Sequence, residues 1–187
     1  MSQRLWVSGY RSYELNIFKD NDPKLQVVKK ALHDNLINLL DEGLEWLITG
    51  GQLGVEQWSV AVAHDLQIKY PQLKIAVILP FSDFGKNWNE TNQLKLQQTI
   101  EMSNYHVFIT KKPYQTPRQL RIYQQFMLQH TDQALLVYDP DHIGKSQYDY
   151  ATIKKYQDNH DYNLRLIDMD ILQTTAEEWQ MNQKADE

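Results

Sequence analysis

Cysteine is absent from the 187 residues of the chain. The protein therefore cannot form disulfides, thiolate zinc sites or iron–sulfur clusters, and it has no cysteine nucleophile. Long apolar runs are also missing: the longest covers residues 75–81, includes Pro80 and is too short to cross a bilayer. The first residues show no basic-then-apolar signal pattern. We therefore expect a protein of the cytoplasm that does not insert into membranes.

An excess of positive charge is missing as well. The chain carries 19 Lys and Arg against 24 Asp and Glu, a formal net charge of −5. A negative chain binds polyanions poorly, so we do not expect nucleic acid as a general partner. A local basic pocket for one phosphate-bearing ligand is compatible with this charge. The 42% of hydrophobic and 23% of charged residues exclude disordered and low-complexity proteins.

Short apolar segments alternate with longer amphipathic ones along the chain. The predicted strands are short and nearly continuous in β-branched and aliphatic residues, as in strands buried on both faces; they cover residues 5–8, 46–49, 74–79, 106–110, 134–138 and 164–167. Predicted helices lie between them, at residues 22–43, 55–70, 90–102, from 116 to about 130, and 146–159. The first begins at Asp22-Pro23, and the fourth at a capping box of residues 116–119 with a stripe of Leu120, Tyr123, Met127 and His130.

Strands that alternate with helices predict a parallel sheet with right-handed crossovers. The fold class is therefore α/β: a three-layer Rossmann-like fold with a mostly parallel sheet of about six strands. We predict one domain over residues 1–187. Its polar tail, residues 174–187, is expected to be a short helix that frays.

Ligands of such sheets bind beyond the carboxyl ends of the strands. Gly9 and Arg11 follow the first strand, where an ordinary turn with a surface arginine is the alternative. Gly50, Gly51 and Gly54 lie between the second strand and its helix, the usual setting for a backbone cradle that binds an anion. Close packing of strand against helix is the alternative there.

Glu56 follows that cradle in the first turn of the helix. Its carboxylate can accept ribose hydroxyls, act as a general acid or base, or merely favour the helix dipole. Phe81 opens an aromatic loop, residues 81–88, that could stack a base or fold onto the surface. Arg118 and Arg121 share a face in the first turn of the fourth helix, where cations oppose the dipole unless an anion binds.

Gly144, Lys145 and Ser146 resemble the end of a phosphate-binding P-loop. Asp139 stands where that motif requires glycine, so we expect a simpler phosphate site and no nucleoside triphosphatase. The six histidines show no H-E-x-x-H spacing, and we expect no metal centre.

Three segments together resemble the YpsA-like family: Gly9-Tyr10-Arg11, residues 49–58 and Pro80-Phe81. This family belongs to the SLOG superfamily of Rossmann-like domains, which includes DprA-type DNA-processing proteins and LOG-type nucleotide phosphoribohydrolases. The resemblance runs in order over residues 5–167. It implies a pocket for a nucleotide or an ADP-ribose-like derivative that includes the candidates above, with residues 117–121 similar to a DprA-type segment. It also implies a bacterial protein with a partner in cell division or envelope stress.

Three functions follow as hypotheses. The first is a sensing or regulatory protein that binds a nucleotide, with phosphate on the residue 50–54 amides and Arg118 or Arg121, ribose on Glu56 and the base on the aromatic loop. The second is a LOG-like hydrolase of N-glycosidic or phosphate bonds that uses Glu56 or Asp83 as base. The third is a DprA-like binder of single-stranded DNA. The first is favoured because several phosphate-binding loops occur without a complete catalytic set. Self-association into a homo-oligomer is left open.

Overall fold

The computed structural model describes residues 3–186, so Met1, Ser2 and Glu187 of the predicted domain lie outside it. Within these residues the chain forms six strands: β1 (Gln3–Gly9), β2 (Leu44–Thr49), β3 (Lys74–Phe81), β4 (Tyr105–Thr110), β5 (Gln133–Val137) and β6 (Asn163–Ile167). Six α-helices accompany them: α1 (Pro23–Asp41), α2 (Val55–Leu66), α3 (Glu90–Met102), α4 (Arg118–His130), α5 (Gln147–Gln157) and α6 (Met169–Ala185). A 3-10 helix, Ser12–Leu15, follows β1.

All neighbouring strands are parallel, in the order β4-β3-β2-β1-β5-β6. This confirms the predicted Rossmann-like fold and all six strands. The chain builds the sheet from β1 outward to β4 and then returns to place β5 on the other side of β1. The connections after β1 and β5 therefore diverge, which opens a crevice at the carboxyl ends of these strands.

Helices cover both faces of the sheet. Helices α1, α2, α3 and α6 pack side by side on one face, and α4 and α5 pack together on the other. The central strands are consequently buried on both faces, with Leu5, Trp6 and Val7 of β1 fully inaccessible. Among residues 3–186, no helix combines the length and the hydropathy that a bilayer span requires.

Helix α1 forms as its sequence predicts. The Asp22 side chain accepts a hydrogen bond from the Lys24 N–H, and Pro23 occupies the first helical position. The helix buries the predicted leucine and valine stripe, including Leu25, Val28 and Leu32. Helix α2 is shorter than predicted: it ends at Leu66, and residues 67–69 continue as a hydrogen-bonded turn.

Helix α4 corrects two predictions. Only half of the capping box forms: the Gln119 side chain accepts bonds from the Gln115 and Thr116 N–H groups, while the helix itself begins at Arg118. The predicted apolar stripe is also wrong in part. Met127 is buried, but Leu120 is 42% exposed and His130 lies at the surface. Leu120 borders a cavity at the edge of the sheet, which explains its exposure.

Helix α6 is longer than the short helix expected at the C-terminal tail. It starts at Met169, where the Asp168 side chain accepts a bond from the Ile171 N–H, and it continues to Ala185. Thr175 is buried, and Glu178 forms an ion pair with Lys30 of α1 at 3.6 Å. An aspartate at an N-cap position is typical of a helix start, so Asp168 could have indicated this helix from the sequence, although the tail is polar and acidic.

The docking of α4 should depend on Met127, which is fully buried. Replacing Met127 by Ala leaves a cavity, and we expect a loss of about 2–5 kcal/mol in the free energy of unfolding. The matched control is Met181→Ala, because Met181 is 70% exposed on α6 and should change that free energy by no more than about 0.5 kcal/mol. Urea denaturation measures both, and equal losses would contradict the packing described.

Candidate functional site

A cavity of about 560 Å³ lies at the carboxyl edge of the sheet. Its walls are the loops after β1, β2 and β3 on one side and helices α4 and α5 on the other. The volume lies in the range typical of small-molecule sites. The lining residues are Arg11, Gly50, Gly51, Gln52, Glu56, Pro80, Phe84, Pro117, Leu120, Arg121, Tyr123, Gln124, Lys145, Tyr148, Asp149, Ala151 and Thr152.

A partly buried ion pair joins the end of β1 to the first turn of α2 in this cavity. Arg11 Nη1 lies 3.0 Å from Glu56 Oε2, and it also donates to the Gly9 carbonyl at 3.3 Å. Glu56 is 4% exposed although it is ionisable. Arg11 comes from the end of β1 and Glu56 from the first turn of α2, so the pair depends on the correct approach of both segments.

Gly50 makes room for this carboxylate. A Cβ atom at Gly50 would overlap Glu56 Oε1 and come within 2.6 Å of the Tyr123 hydroxyl oxygen. The absence of a side chain at Gly50 therefore lets an acid from α2 and a phenol from α4 meet at one point. Gly51 is equally crowded, because a Cβ there would contact Leu79 and Leu96 at under 3 Å.

A second carboxylate, Asp149 of α5, connects the two sides of the cavity. Its Oδ2 accepts a hydrogen bond from the Ser8 hydroxyl at 2.6 Å, and its Oδ1 accepts one from the Gln124 amide at 2.8 Å. These contacts tie α5 to β1 and to α4. Asp149 is thereby fixed in orientation on the cavity wall.

The environment of Glu56 favours its protonated form. Burial, the largest cause, and the negative charge of Asp149 both raise the pKa of Glu56, and the net value is about 7. The Arg11 guanidinium and the Gln52 N–H lower this pKa, but the effect of burial is larger. Burial together with the nearby carboxylates raises the pKa of Tyr123 well above its ordinary value. Glu56 can therefore gain or lose a proton near neutral pH, which a general acid or base requires.

The mouth of the cavity has the opposite charge. Arg121 of α4 and Lys145, which precedes α5, line it from the exposed side. Leu120 and Tyr148 add apolar surface beside them, and Phe84 forms part of the inner wall. The inner side of the cavity thus carries two carboxylates, a phenol and the paired Arg11, and its mouth carries two further cations.

The structure brings half of the predicted binding residues into this cavity. Those that line it are Arg11, Gly50, Gly51, Glu56, Arg121 and Lys145. The candidates outside the lining are Gly9, Gly54, Phe81, Arg118, Gly144 and Ser146.

Gly54 and Gly9 have packing roles. At Gly54 φ is +112°, and a Cβ would lie 2.5 Å from the Tyr10 carbonyl oxygen and 2.6 Å from the Ser12 nitrogen. The N–H of Val55 donates to the Tyr10 carbonyl instead of remaining open to an anion. A Cβ at Gly9 would lie 2.7 Å from the Val137 carbonyl oxygen. At these two glycines the structure matches the alternative of close packing.

The Gly144–Ser146 loop already holds an anion from the chain itself. Glu14 Oε2 accepts a hydrogen bond from the Lys145 N–H at 2.8 Å and lies against Gly144. The Ser146 hydroxyl is fully buried, and no hydrogen-bond partner for it occurs among residues 3–186. Glu14 therefore occupies the Lys145 N–H, which a phosphate site in this loop would use, and Lys145 also lines the cavity.

Phe81 and Arg118 lie outside the cavity lining, and a residue three positions later in the chain lines the cavity in each case. Phe81 packs against Phe84 and Tyr114, with ring centroids 5.8 and 5.1 Å apart, and Phe84 lines the cavity in its place. Arg118 is exposed outside the lining, whereas Arg121, one turn later, borders it.

Tyr123, Gln124 and Asp149 were missed as site residues. Tyr123 lies on an apparent apolar stripe, which indicated the core. Asp149 stands in the first turn of α5, where a carboxylate needs no functional explanation. Only the pairing of α4 with α5 brings them together. Over residues 3–186, no group of three or more metal-binding side chains is arranged to hold a metal ion.

The fold and the cavity define a Rossmann-like α/β protein with a ligand-sized pocket at the carboxyl edge of a parallel sheet. Comparison with known proteins gives its family. The family model YpsA, described as the YspA SLOG family, matches residues 5–172. The chain therefore belongs to this family, which confirms the resemblance seen in its motifs.

Relatives of nearly equal length occur in lactic acid bacteria. The UPF0398 protein of Lactiplantibacillus plantarum is 53% identical over 176 residues, or 94% of this chain and 93% of that protein. The UPF0398 protein of Limosilactobacillus reuteri is 51% identical over 97% of both chains. That of Ligilactobacillus salivarius is 49% identical over 94% of this chain and 96% of its own.

The raised pKa of Glu56 should make stability depend on pH. Between its ordinary value of 4.5 and about 7, the folded protein holds a proton that the unfolded chain has lost, so stability falls as pH rises through this window. Glu56→Gln removes this dependence. Relative to the wild type, the variant should gain about 2–3 kcal/mol in unfolding free energy from pH 5 to pH 8. Urea denaturation at several pH values tests this, and parallel curves would contradict it.

Proposed function

We propose that the protein binds a nucleotide or an ADP-ribose-like derivative in the cavity beside Glu56. The observation that carries the proposal is the distribution of polar groups in this cavity: two carboxylates, one of them paired with Arg11, lie on its inner side, and two further cations lie at its mouth. A ribosyl phosphate has the complementary arrangement, because its hydroxyl groups donate hydrogen bonds and its phosphate carries negative charge. The family resemblance supports the same class of ligand.

Each part of such a ligand has a counterpart among the lining residues. The carboxylates of Glu56 and Asp149 can accept hydrogen bonds from ribose hydroxyls. Arg121 and Lys145 can bind phosphate oxygens at the mouth, where charge-assisted bonds are strong. Phe84 offers an apolar surface to a base. The proposed phosphate contacts are thus made by the side chains of Arg121 and Lys145, whereas the sequence predicted the backbone of residues 50–54.

A sensing or regulatory role accounts for this set better than catalysis does. Asp83, one candidate base, lies outside the cavity lining and accepts a bond from the Tyr114 N–H at 2.8 Å. Of the two candidate bases, Glu56 and Asp83, Glu56 alone lines the cavity. We also propose that the protein regulates a partner protein of cell division or envelope stress. This part of the proposal rests on the family resemblance alone.

A second function, hydrolysis of an N-glycosidic bond, is favoured by one specific observation. The pKa of Glu56 near 7 would let it deliver a proton to a leaving base or accept one from water. In this case incubation with nucleoside monophosphates, NAD or ADP-ribose yields free base or ribose phosphate, and Glu56→Gln abolishes the product. Binding without product across this panel supports the sensing role.

Two arginines one helical turn apart on α4 allow a test of whether the cations at the cavity mouth contribute to ligand affinity. Arg121→Gln should weaken binding of ADP-ribose about tenfold, because a charge-assisted phosphate contact is lost. Arg118→Gln removes the same charge from the same helix outside the cavity lining and should leave the dissociation constant within about twofold. Isothermal titration calorimetry measures both. Equal effects, or an effect of Arg118 alone, would place the phosphate elsewhere.

A further inference from the structure

Glu14 lies where the loops after β1 and β5 meet. Its Oε1 accepts a hydrogen bond from the Arg11 N–H at 2.7 Å, and its Oε2 accepts one from the Lys145 N–H at 2.8 Å. The two residues whose backbones it binds are both cations that line the cavity. The half-buried carboxylate of Glu14 thus binds Arg11 in the loop after β1 and Lys145 in the loop after β5.

The surroundings of Glu14 are shaped for this double contact. Arg11 precedes the 3-10 helix, and the Glu14 N–H donates to the Arg11 carbonyl at 3.0 Å while the Glu14 side chain accepts from the Arg11 N–H, which fixes the Oε1 contact locally. The Oε2 contact is long-range, and a Cβ at Gly144 would overlap that oxygen. Glycine at this position therefore allows the carboxylate to reach the Lys145 N–H.

We propose that Glu14 is a positioning residue that sets the spacing of Arg11 and Lys145 and thereby holds the Arg11 guanidinium against Glu56. Its own side chain is outside the cavity lining, so it acts through the two cations and not on a ligand. The Arg11 backbone also pairs with Gly54, but that bridge leaves the Lys145 loop free. Tyr10 joins the same two loops further from the cations, because its hydroxyl donates to the His142 carbonyl at 2.7 Å and accepts from the Asp139 N–H at 2.9 Å. Among residues 3–186, Glu14 is the side chain that binds the N–H groups of both Arg11 and Lys145. The relevance of this spacing to ligand binding rests on the proposed function.

The ionisation of Glu56 reports the position of Arg11 without any ligand. Besides burial, three groups shift the pKa of Glu56: Arg11 from the β1 loop, Asp149 from α5 and the Gln52 N–H from the β2 loop. Tyr123 of α4 also faces Glu56, but its pKa is well above the ordinary value, so its phenol is uncharged where Glu56 titrates. Of these, Arg11 is the cation that holds the pKa down. If Arg11 withdraws, the pKa of Glu56 rises.

The Glu14→Gln variant separates two effects on the Glu56 titration midpoint: a shift in the position of Arg11 raises it, and the loss of the Glu14 charge lowers it. A glutamine can accept from only one of the two N–H groups, so Arg11 should loosen and the Glu56 titration midpoint should rise by about half a pH unit or more. Loss of the Glu14 charge by itself would lower that midpoint. Glu14→Asp keeps the charge but is too short to bridge both loops, and it should also raise the midpoint.

Carbon-13 NMR of the glutamate carboxyl groups measures the midpoint, with Glu56→Gln to assign the signal. Glu42→Gln is the matched control: it removes another carboxylate, paired with Arg165 at 2.6 Å, outside the cavity lining. It should leave the Glu56 midpoint unchanged. An unchanged or lowered midpoint in Glu14→Gln, or no rise in Glu14→Asp, would overturn the positioning role.

ADP-ribose titrations of the same variants separate this proposal from the proposed function. We expect weaker binding in Glu14→Gln and Glu14→Asp and unchanged binding in Glu42→Gln. If the wild type binds neither ADP-ribose nor AMP, the proposed function fails, while the NMR titration still decides whether Glu14 positions Arg11. If the midpoint rises but the affinity is unchanged, the spacing of the cations does not serve this ligand, and that part of the inference is wrong.

Discussion

The burial of the Glu56 carboxylate is the constraint on which the site depends. A buried acid is costly unless it is protonated or paired, and Glu56 has means of both kinds. Arg11 pairs with the ionised carboxylate, and the raised pKa lets a proton neutralise the carboxylate near neutral pH. Gly50 must lack a side chain because the carboxylate occupies the space where one would lie. The local sequence on both sides of the cavity follows from accommodating this one group.

The parallel sheet explains how distant segments come to serve one acid. Arg11, Glu56 and Asp149 belong to three different crossover units, and the reversal of strand order at β1 and β5 brings their loops to one crevice. One backbone bridge and one side chain then fix the loops. The Arg11 segment pairs with Gly54, and Glu14 joins it to Lys145. The precision of the cavity therefore comes from loop-to-loop contacts supported by a rigid sheet.

The periodicity of the sequence was sufficient to predict the sheet and most helices, because buried parallel strands and amphipathic helices have strong patterns. The loops after β1 and β2 also indicated Arg11, Gly50 and Glu56. The roles of Gly54 and Gly144 could not be separated from anion binding, since a glycine needed for close approach looks the same in either case. Tyr123 and Asp149 required the packing of α4 against α5, which no local pattern encodes.

The most direct test of a ligand site at Glu56 is the number of protons exchanged when a nucleotide binds. Calorimetric titration of ADP-ribose, AMP and NAD at pH 7, in buffers of different ionisation enthalpy, gives this number. A hydroxyl that donates to Glu56 favours its ionised form, so binding to the wild type should release protons. The Glu56→Gln variant should release none. Absence of binding, or equal proton exchange in both proteins, would contradict a ligand site at Glu56.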